Sequence, residues 1–199
     1  MRREEFLARL KGPEAGHHLP PNEEPPELPP PPQDLVGHFL QAARATGCTV
    51  YAGSLPELRD LLRREIGQGP VLRGGEEPVA RLCEGLASVA VDEPFTAAWG
   101  VALADGALAR TGSMCFVRRR EAPLTASLVP PRIAVLVPES RMVWDLGDYL
   151  RTPPEGGSIA VVSGPSRSAD IENDLSIGVH GPGEVLVLLW HDRDGAVAC

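Results

Sequence analysis

The sequence predicts an α/β protein: a doubly wound sheet, mostly parallel and flanked by helices, preceded by an N-terminal helical arm. Three observations predict it. From Asp34 onward, short apolar or β-branched runs alternate with segments of helical periodicity, the rhythm of a doubly wound sheet. The runs are brief and bounded by Gly and Pro, as buried strands are. The apolar share, 43% of 199 residues, suffices for one core of ordinary size.

The elements follow in order. Residues 2–11 place Phe6, Leu7 and Leu10 at helical spacing among charges, a short amphipathic helix. Residues 12–33 carry eight prolines between Pro20 and Pro32 and several acids, the composition of an extended strap or linker. The expected organisation is therefore an arm, 1–33, and an α/β domain, 34–199. His17 and His18 form an isolated pair in the linker, without neighbours that would complete a metal site. Asp34 is placed to cap a helix whose apolar face is Leu35, Phe39, Leu40 and Ala43, stopped by Gly47. Cys48–Ala52 reads as a strand. Ser54-Leu55-Pro56-Glu57 is a capping box with proline in the first turn, opening a helix through Leu58, Leu61, Leu62 and Ile66. Val71-Leu72 reads as a brief strand, 78–86 as a helix and 88–91 as a strand.

From Trp99 the chain carries a turn at Asp105-Gly106, a Thr111-Gly112-Ser113 loop and a strand over Met114–Val117. Arg132–Val137 is a strand entered through Pro130-Pro131, and Met142–Leu150 reads as a helix with Val143, Leu146 and Leu150 on one face. Ile159–Val162 is a strand, Ala169–Leu175 a short helix, and Val185–Trp190 a strand. Together these last three read as a βαβ unit, which implies parallel pairing. Residues 191–199 form a small polar tail.

Composition excludes several function classes. A net charge of −8 disfavours a nucleic-acid partner, and Arg118-Arg119-Arg120 reads as a solvated loop. No apolar run nears the roughly 20 residues of a bilayer span, and the N-terminus lacks the apolar core of a signal peptide. A cytoplasmic protein is expected. Cys48, Cys83, Cys115 and Cys199 include no C-x-x-C pair, so neither a zinc ribbon nor an iron–sulfur cluster is expected in this chain, and the thiols should be reduced and buried. Dinucleotide, Walker and G-x-S-x-G fingerprints are absent.

Two polar loops draw attention. Ser163, Gly164, Ser166, Arg167 and Ser168 follow a strand and precede the expected helix. Ser hydroxyls, helix-start N–H groups and a guanidinium suit a carboxylate or phosphate. The plainer reading is that Gly, Pro and Ser punctuate a tight crossover. Thr111, Gly112 and Ser113 set two hydroxyls around a glycine, a second anion-binding turn, or simply a hairpin. Asp170, Glu172 and His180 are the acid–base candidates nearby, with His180 favoured as a ligand-orienting donor. A Ser–His–acid set is countable here, but a triad is defined by geometry.

The stretch Gly164-Pro165-Ser166-Arg167-Ser168-Ala169-Asp170-Ile171-Glu172, continuing to Leu175 and Gly178-Val179-His180-Gly181-Pro182, resembles the C-terminal signature of the LUD-domain family of lactate utilization protein C type. The segment around Ala104-Asp105 to Thr111-Gly112-Ser113 resembles that family's second signature, with one departure: Arg110 stands where the family usually has an acid. The resemblance covers 99–190. It implies a Rossmann-like layered fold, similar to sugar-phosphate isomerases and CoA-transferases. It also implies participation in oxidising L-lactate to pyruvate beside iron–sulfur partner subunits of A and B type. In that reading this chain carries no cofactor; it binds an anionic ligand or supports its partners. The alternative is a stand-alone isomerase- or transferase-like enzyme acting on a sugar phosphate or acyl-CoA, with Asp170, Glu172 or His180 moving protons. A third reading is an interaction module whose N-terminal arm wraps a second copy or a neighbouring subunit.

Overall fold

The structure is a computed structural model that describes residues 30–89, 93–119, 124–152, 155–169, 175–177 and 181–192, without the side chains of 168, 169 and 175–177. The chain divides into two units, Met1–Pro30 and Pro31–Cys199, and the second is described below. The arm expected over 1–33 lies almost wholly outside the described residues, as do His17, His18, Cys199 and the tail from 193.

Local signals fix the first elements. Helix α1 is Leu35–Ala45, and its N-cap carboxylate at Asp34 accepts the Gly37 N–H at 2.7 Å. Strand β1 is Thr49–Gly53 and helix α2 is Leu55–Ile66. At the start of α2 the Glu57 carboxylate receives both the N–H (2.8 Å) and the hydroxyl (2.7 Å) of Ser54, the reciprocal half of a capping box. Strand β2 (Val71–Arg73), helix α3 (Glu77–Leu82) and strand β3 (Trp99–Leu103) follow. Strands β4 (Gly106–Leu108) and β5 (Ser113–Val117) form a hairpin, and the short helix α4 (Thr125–Leu128) leads to β6 (Arg132–Pro138). Then come β7 (Met142–Val143), α5 (Leu146–Arg151), β8 (Ile159–Val162), β9 (Arg167–Ala169), β10 (Leu175–Ile177) and β11 (Glu184–Trp190).

The central layer is a five-stranded sheet in the order β1-β11-β6-β3-β2, every pairing parallel. Its middle strands are buried on both faces, so their sequences run apolar without alternation. The two-residue period still sorts them. Ala134, Leu136, Leu186, Leu188, Val101 and Leu103 pack against Leu58, Leu62 and Ile66 of α2 and Val79 and Leu82 of α3. Ile133, Val135, Val137, Val185, Val187 and Leu189 face the other way, toward Phe39 and Ala43 of α1 and Ala107, Met114 and Phe116 of a second sheet. That sheet has the order β7-β4-β5-β8. Its strands come from the two crossovers that join β3 to β6 and β6 to β11, so each crossover is itself partly a sheet.

Two consequences position the functional surfaces. First, α3 carries the β2–β3 connection over one face of the parallel sheet, whereas the β3–β6 connection lies on the opposite face. The chain therefore parts between the carboxyl ends of β2 and β3, the switch-point crevice where open α/β sheets bind ligands. Second, β8 belongs to the second sheet, antiparallel to β5, while β11 lies in the parallel sheet between β1 and β6. The expected βαβ unit is thus corrected: its two strands never pair. Ala169 and Leu175, the expected ends of its helix, are instead paired in the antiparallel β9–β10 hairpin. The helix expected from Met142 begins only at Leu146, because Asp145 caps it, accepting the Asp148 N–H at 3.0 Å. Met142 and Val143 form the edge strand beside β4. The helix expected over 78–86 is shorter, and of the strand expected over 88–91 the described part is one bridge between Ser88 and Val71.

Cys48, Cys83 and Cys115 are buried, free thiols. Desolvation pushes Cys83 up from an ordinary value near 9 to about 12 and Cys115 to about 11. Burial likewise raises the Tyr149 phenol to about 12, where its ring lies over Gly106 with no room for a Cβ. Each group holds a proton in the fold that the unfolded chain releases earlier. Their contribution to stability is therefore complete below about pH 9 and is lost as pH rises toward those folded-state values. Urea midpoints should fall steadily above about pH 9; a midpoint that stays level to about pH 11 would contradict this burial.

Candidate functional site

The two loops that the sequence singled out meet. Strand β5 begins at Ser113, at the end of the hairpin turn from β4, and β8 runs antiparallel beside it, so the end of β8 comes to the start of β5. Thr111 Oγ1 lies 2.7 Å from Ser113 Oγ, and Ser113 Oγ lies 2.7 Å from Ser163 Oγ, fifty positions along the chain. Ser113 is buried, 2% exposed, while Thr111 and Ser163 at the two ends are exposed. Each hydroxyl has one proton to give, so a chain of three with two internal bonds retains one donor. Reversing the sense of the chain moves that donor from the Thr111 end to the Ser163 end.

The turn owes its shape to Gly112. Its φ of +65° is left-handed, and a Cβ there would stand 2.2 Å from the Ala43 nitrogen and 2.5 Å from the Ala42 carbonyl carbon. Gly112 therefore seats the turn directly on the last turns of α1. The backbone N–H groups of the turn are already engaged: Gly112 N–H donates to the Leu108 carbonyl at 2.9 Å, Thr111 N–H to the same oxygen at 3.3 Å, and Arg110 N–H to the Trp144 carbonyl at 2.9 Å. A ligand here meets hydroxyls rather than backbone. Arg110 is exposed on the same turn.

The second loop docks on the end of α1 as well. Gly164, at φ +95°, lies against the Thr46 carbonyl, where a Cβ would be 2.7 Å from the oxygen. Arg167 Nη2 donates to that carbonyl at 3.0 Å, a cation where the helix dipole is negative. Ser166 N–H donates to the Pro182 carbonyl at 2.7 Å. Beside this loop opens a crevice of about 230 Å³, lined by Gly47, Pro165, Arg132, Glu65 and Glu184 among others. The Arg132 guanidinium stacks on the Trp99 ring at 4.8 Å. All of this lies at the amino ends of the parallel strands, because β8 is not one of them. Ser168 pairs with Ser176 in the β9–β10 hairpin. Asp170, Glu172 and His180 lie outside the described residues. The structure thus joins Thr111, Ser113 and Ser163, with Gly112, Gly164 and Arg167 fastening their loops to α1.

At the opposite, carboxyl end of the sheet the structure shows a cavity that sequence reasoning missed. It measures about 310 Å³ and fills the switch-point crevice between β2 and β3. Leu72, Leu103, Phe116, Leu124 and Ala126 give it apolar walls, and Arg73, Glu76, Asp105 and Thr125 give it polar ones. The Asp105 carboxylate is already committed to the Val117 N–H at 2.7 Å and to Arg119 Nη1 at 2.7 Å. Glu76 Oε2 is buried and, among the described residues, has no hydrogen-bond partner. The signal that would have found it is Arg73-Gly74-Gly75-Glu76 directly after a strand. A Cβ at Gly74 would be 2.3 Å from Glu76 Oε2, so the glycine makes room for the carboxylate. Among the described residues no group of three or more His, Cys, Asp or Glu is placed to hold a metal, and no helix is long and apolar enough to cross a membrane.

The sequence is 26% identical over 182 residues to lactate utilization protein C of Anoxybacillus flavithermus, a match covering 80% of this chain and 82% of that protein. It is 32% identical over 102 residues to lactate utilization protein C of Bacillus subtilis, covering 47% of this chain and 42% of that one. Several of these matches thus span less than half of the relative. The fold resembles the crystal structure of a DUF162 family protein from Deinococcus radiodurans, with a TM-score of 0.60 at 17% identity, over 82% of this chain and all of that one. The LUD domain model matches residues 38–190, from α1 to the end of β11, and the chain belongs to the LUD domain family.

Proposed function

We propose that this chain is a subunit of a lactate-oxidising system of the lactate utilization protein C kind, and that it holds a small carboxylate while partner subunits carry the electrons. One observation carries the reading. The two segments that resemble the family's signatures converge on a single hydroxyl chain, Thr111–Ser113–Ser163, with Arg167 on the adjoining loop. An anion at the exposed end of that chain receives the retained O–H proton and lies near guanidinium charge, the combination that suits a carboxylate. The redox centres of the reaction reside, in this proposal, in iron–sulfur partners of A and B type. The arm of residues 1–33 serves assembly, with a second copy or with those partners. Ser168, Asp170 and His180 complete the ligand shell, and the layered fold is of the sugar-phosphate isomerase and CoA-transferase kind.

The test is a thermal-shift series on the purified chain with L-lactate, pyruvate, sugar phosphates and CoA, repeated in Arg167→Ala. A ligand at 100 times its Kd stabilises the fold by about 2.7 kcal/mol, which at about 2–4 °C per kcal/mol is a shift of several degrees. Lactate or pyruvate should give that shift in the wild type and lose it in Arg167→Ala. Tagged chain should retain iron–sulfur partners, and retain fewer without residues 1–33. Turnover of a sugar phosphate or acyl-CoA by the chain alone would contradict the proposal and favour the stand-alone enzyme.

A further inference from the structure

The cavity at the carboxyl ends of β2 and β3 is distinct from the hydroxyl chain, which lies at the amino ends of the same sheet. Its chemistry specifies a ligand. Four of its polar groups are internally engaged or peripheral: Asp105 is bonded to Val117 and Arg119, Ser127 Oγ donates to the Leu124 carbonyl at 2.9 Å, and Ser88 and Arg73 are exposed at its rim. What remains inside, among the described residues, is the Thr125 hydroxyl and one buried acceptor without a donor, Glu76 Oε2. A buried acceptor left unmatched is costly, and a ligand that brings an O–H or N–H to it recovers that cost. Around it Leu72, Leu103, Phe116 and Ala126, all buried, offer apolar surface. At the rim, three residues before Glu76, Arg73 supplies a cation suited to a carboxylate. The volume, about 310 Å³, is at the small end of ligand pockets.

We infer that this cavity binds an α-hydroxy or α-amino acid with an apolar side chain. The α-substituent donates to Glu76, the carboxylate faces Arg73, and the side chain fills the space against Phe116 and Leu103. The inference uses no residue of the Thr111–Ser113–Ser163 chain or of the Arg167 loop.

Isothermal titration of the full chain with leucine, its hydroxy analogue leucic acid and its keto analogue ketoleucine tests it. The three share a carboxylate and an isobutyl group and differ only at the α-position, and the keto acid has no donor there. Leucine or leucic acid should bind at least about tenfold more tightly than ketoleucine, the scale of an unmatched buried acceptor. Which of the two binds better tells an amino acid from a hydroxy acid. Glu76→Gln offers an amide N–H, and so should erase or invert that preference. Arg73→Gln, at an exposed position where folding is not at stake, should weaken all three by about tenfold through loss of the charge-assisted bond. Equal binding of donor and keto ligands, no binding of any, or an unchanged preference in Glu76→Gln would each overturn the inference.

Discussion

Replacing Gly112 by alanine should destabilise the protein by about 2–5 kcal/mol, the sum of a left-handed residue with a side chain and an overpacked contact. The position has φ +65°, and its missing Cβ is what lets the hairpin turn rest on the backbone of Ala42 and Ala43. Backbone on one side and α1 on the other leave the new methyl nowhere to go. At about 2–4 °C per kcal/mol for a domain of this size, the thermal midpoint should fall by about 5–15 °C. The turn would also lift from α1 and draw Thr111 away from Ser113, so ligand stabilisation should disappear even at temperatures where the variant is folded. Calorimetry with and without ligand separates the two losses. A midpoint within about 1 °C of the wild type would mean that the turn does not sit on α1.

Phe39→Ala should cost about 3–5 kcal/mol, the range for removing a buried aromatic ring. Phe39 is fully buried in the cluster formed by α1, the parallel sheet and the second sheet. Its loss loosens the helix whose final turns receive Gly112, Gly164 and Arg167. The control is Phe95→Ala, since Phe95 is 88% exposed and surface changes of this kind stay within about 0.5 kcal/mol. Chemical denaturation of both variants gives the comparison. Equal midpoints for the two would contradict the packing described for α1.

How much of this was legible in the sequence depends on the range of the interaction concerned. The caps at Asp34 and at Ser54 with Glu57 were legible because each involves residues three apart. Asp145 was legible in the same way, but the helical spacing of Val143, Leu146 and Leu150 outweighed it and moved the start of α5 too early. Ile159–Val162 read correctly as a strand, yet periodicity says nothing about which sheet a strand joins. Assigning β8 to the parallel sheet placed its loop at the carboxyl end of that sheet, whereas the β5–β8 pairing puts Ser163 at the opposite end, beside Ser113. The residues of the hydroxyl chain were thus identified as two separate segments, and their contact across fifty positions needed the topology. The cavity needed it even more. Arg73 and Glu76 flank two glycines after a strand of three residues, a weak local pattern. It becomes a site only because the connections after β2 and β3 leave for opposite faces.

The central claim is that the convergence of Thr111, Ser113 and Ser163 beside Arg167 is where a small carboxylate binds. Heteronuclear NMR of the labelled full chain titrated with L-lactate addresses it directly, since it reports each residue separately. The account predicts saturable shifts at the amides of Thr111, Ser113 and Ser163 and at the Arg167 side chain. Shifts confined to Arg73, Glu76 and Phe116, or none at millimolar lactate, would contradict it.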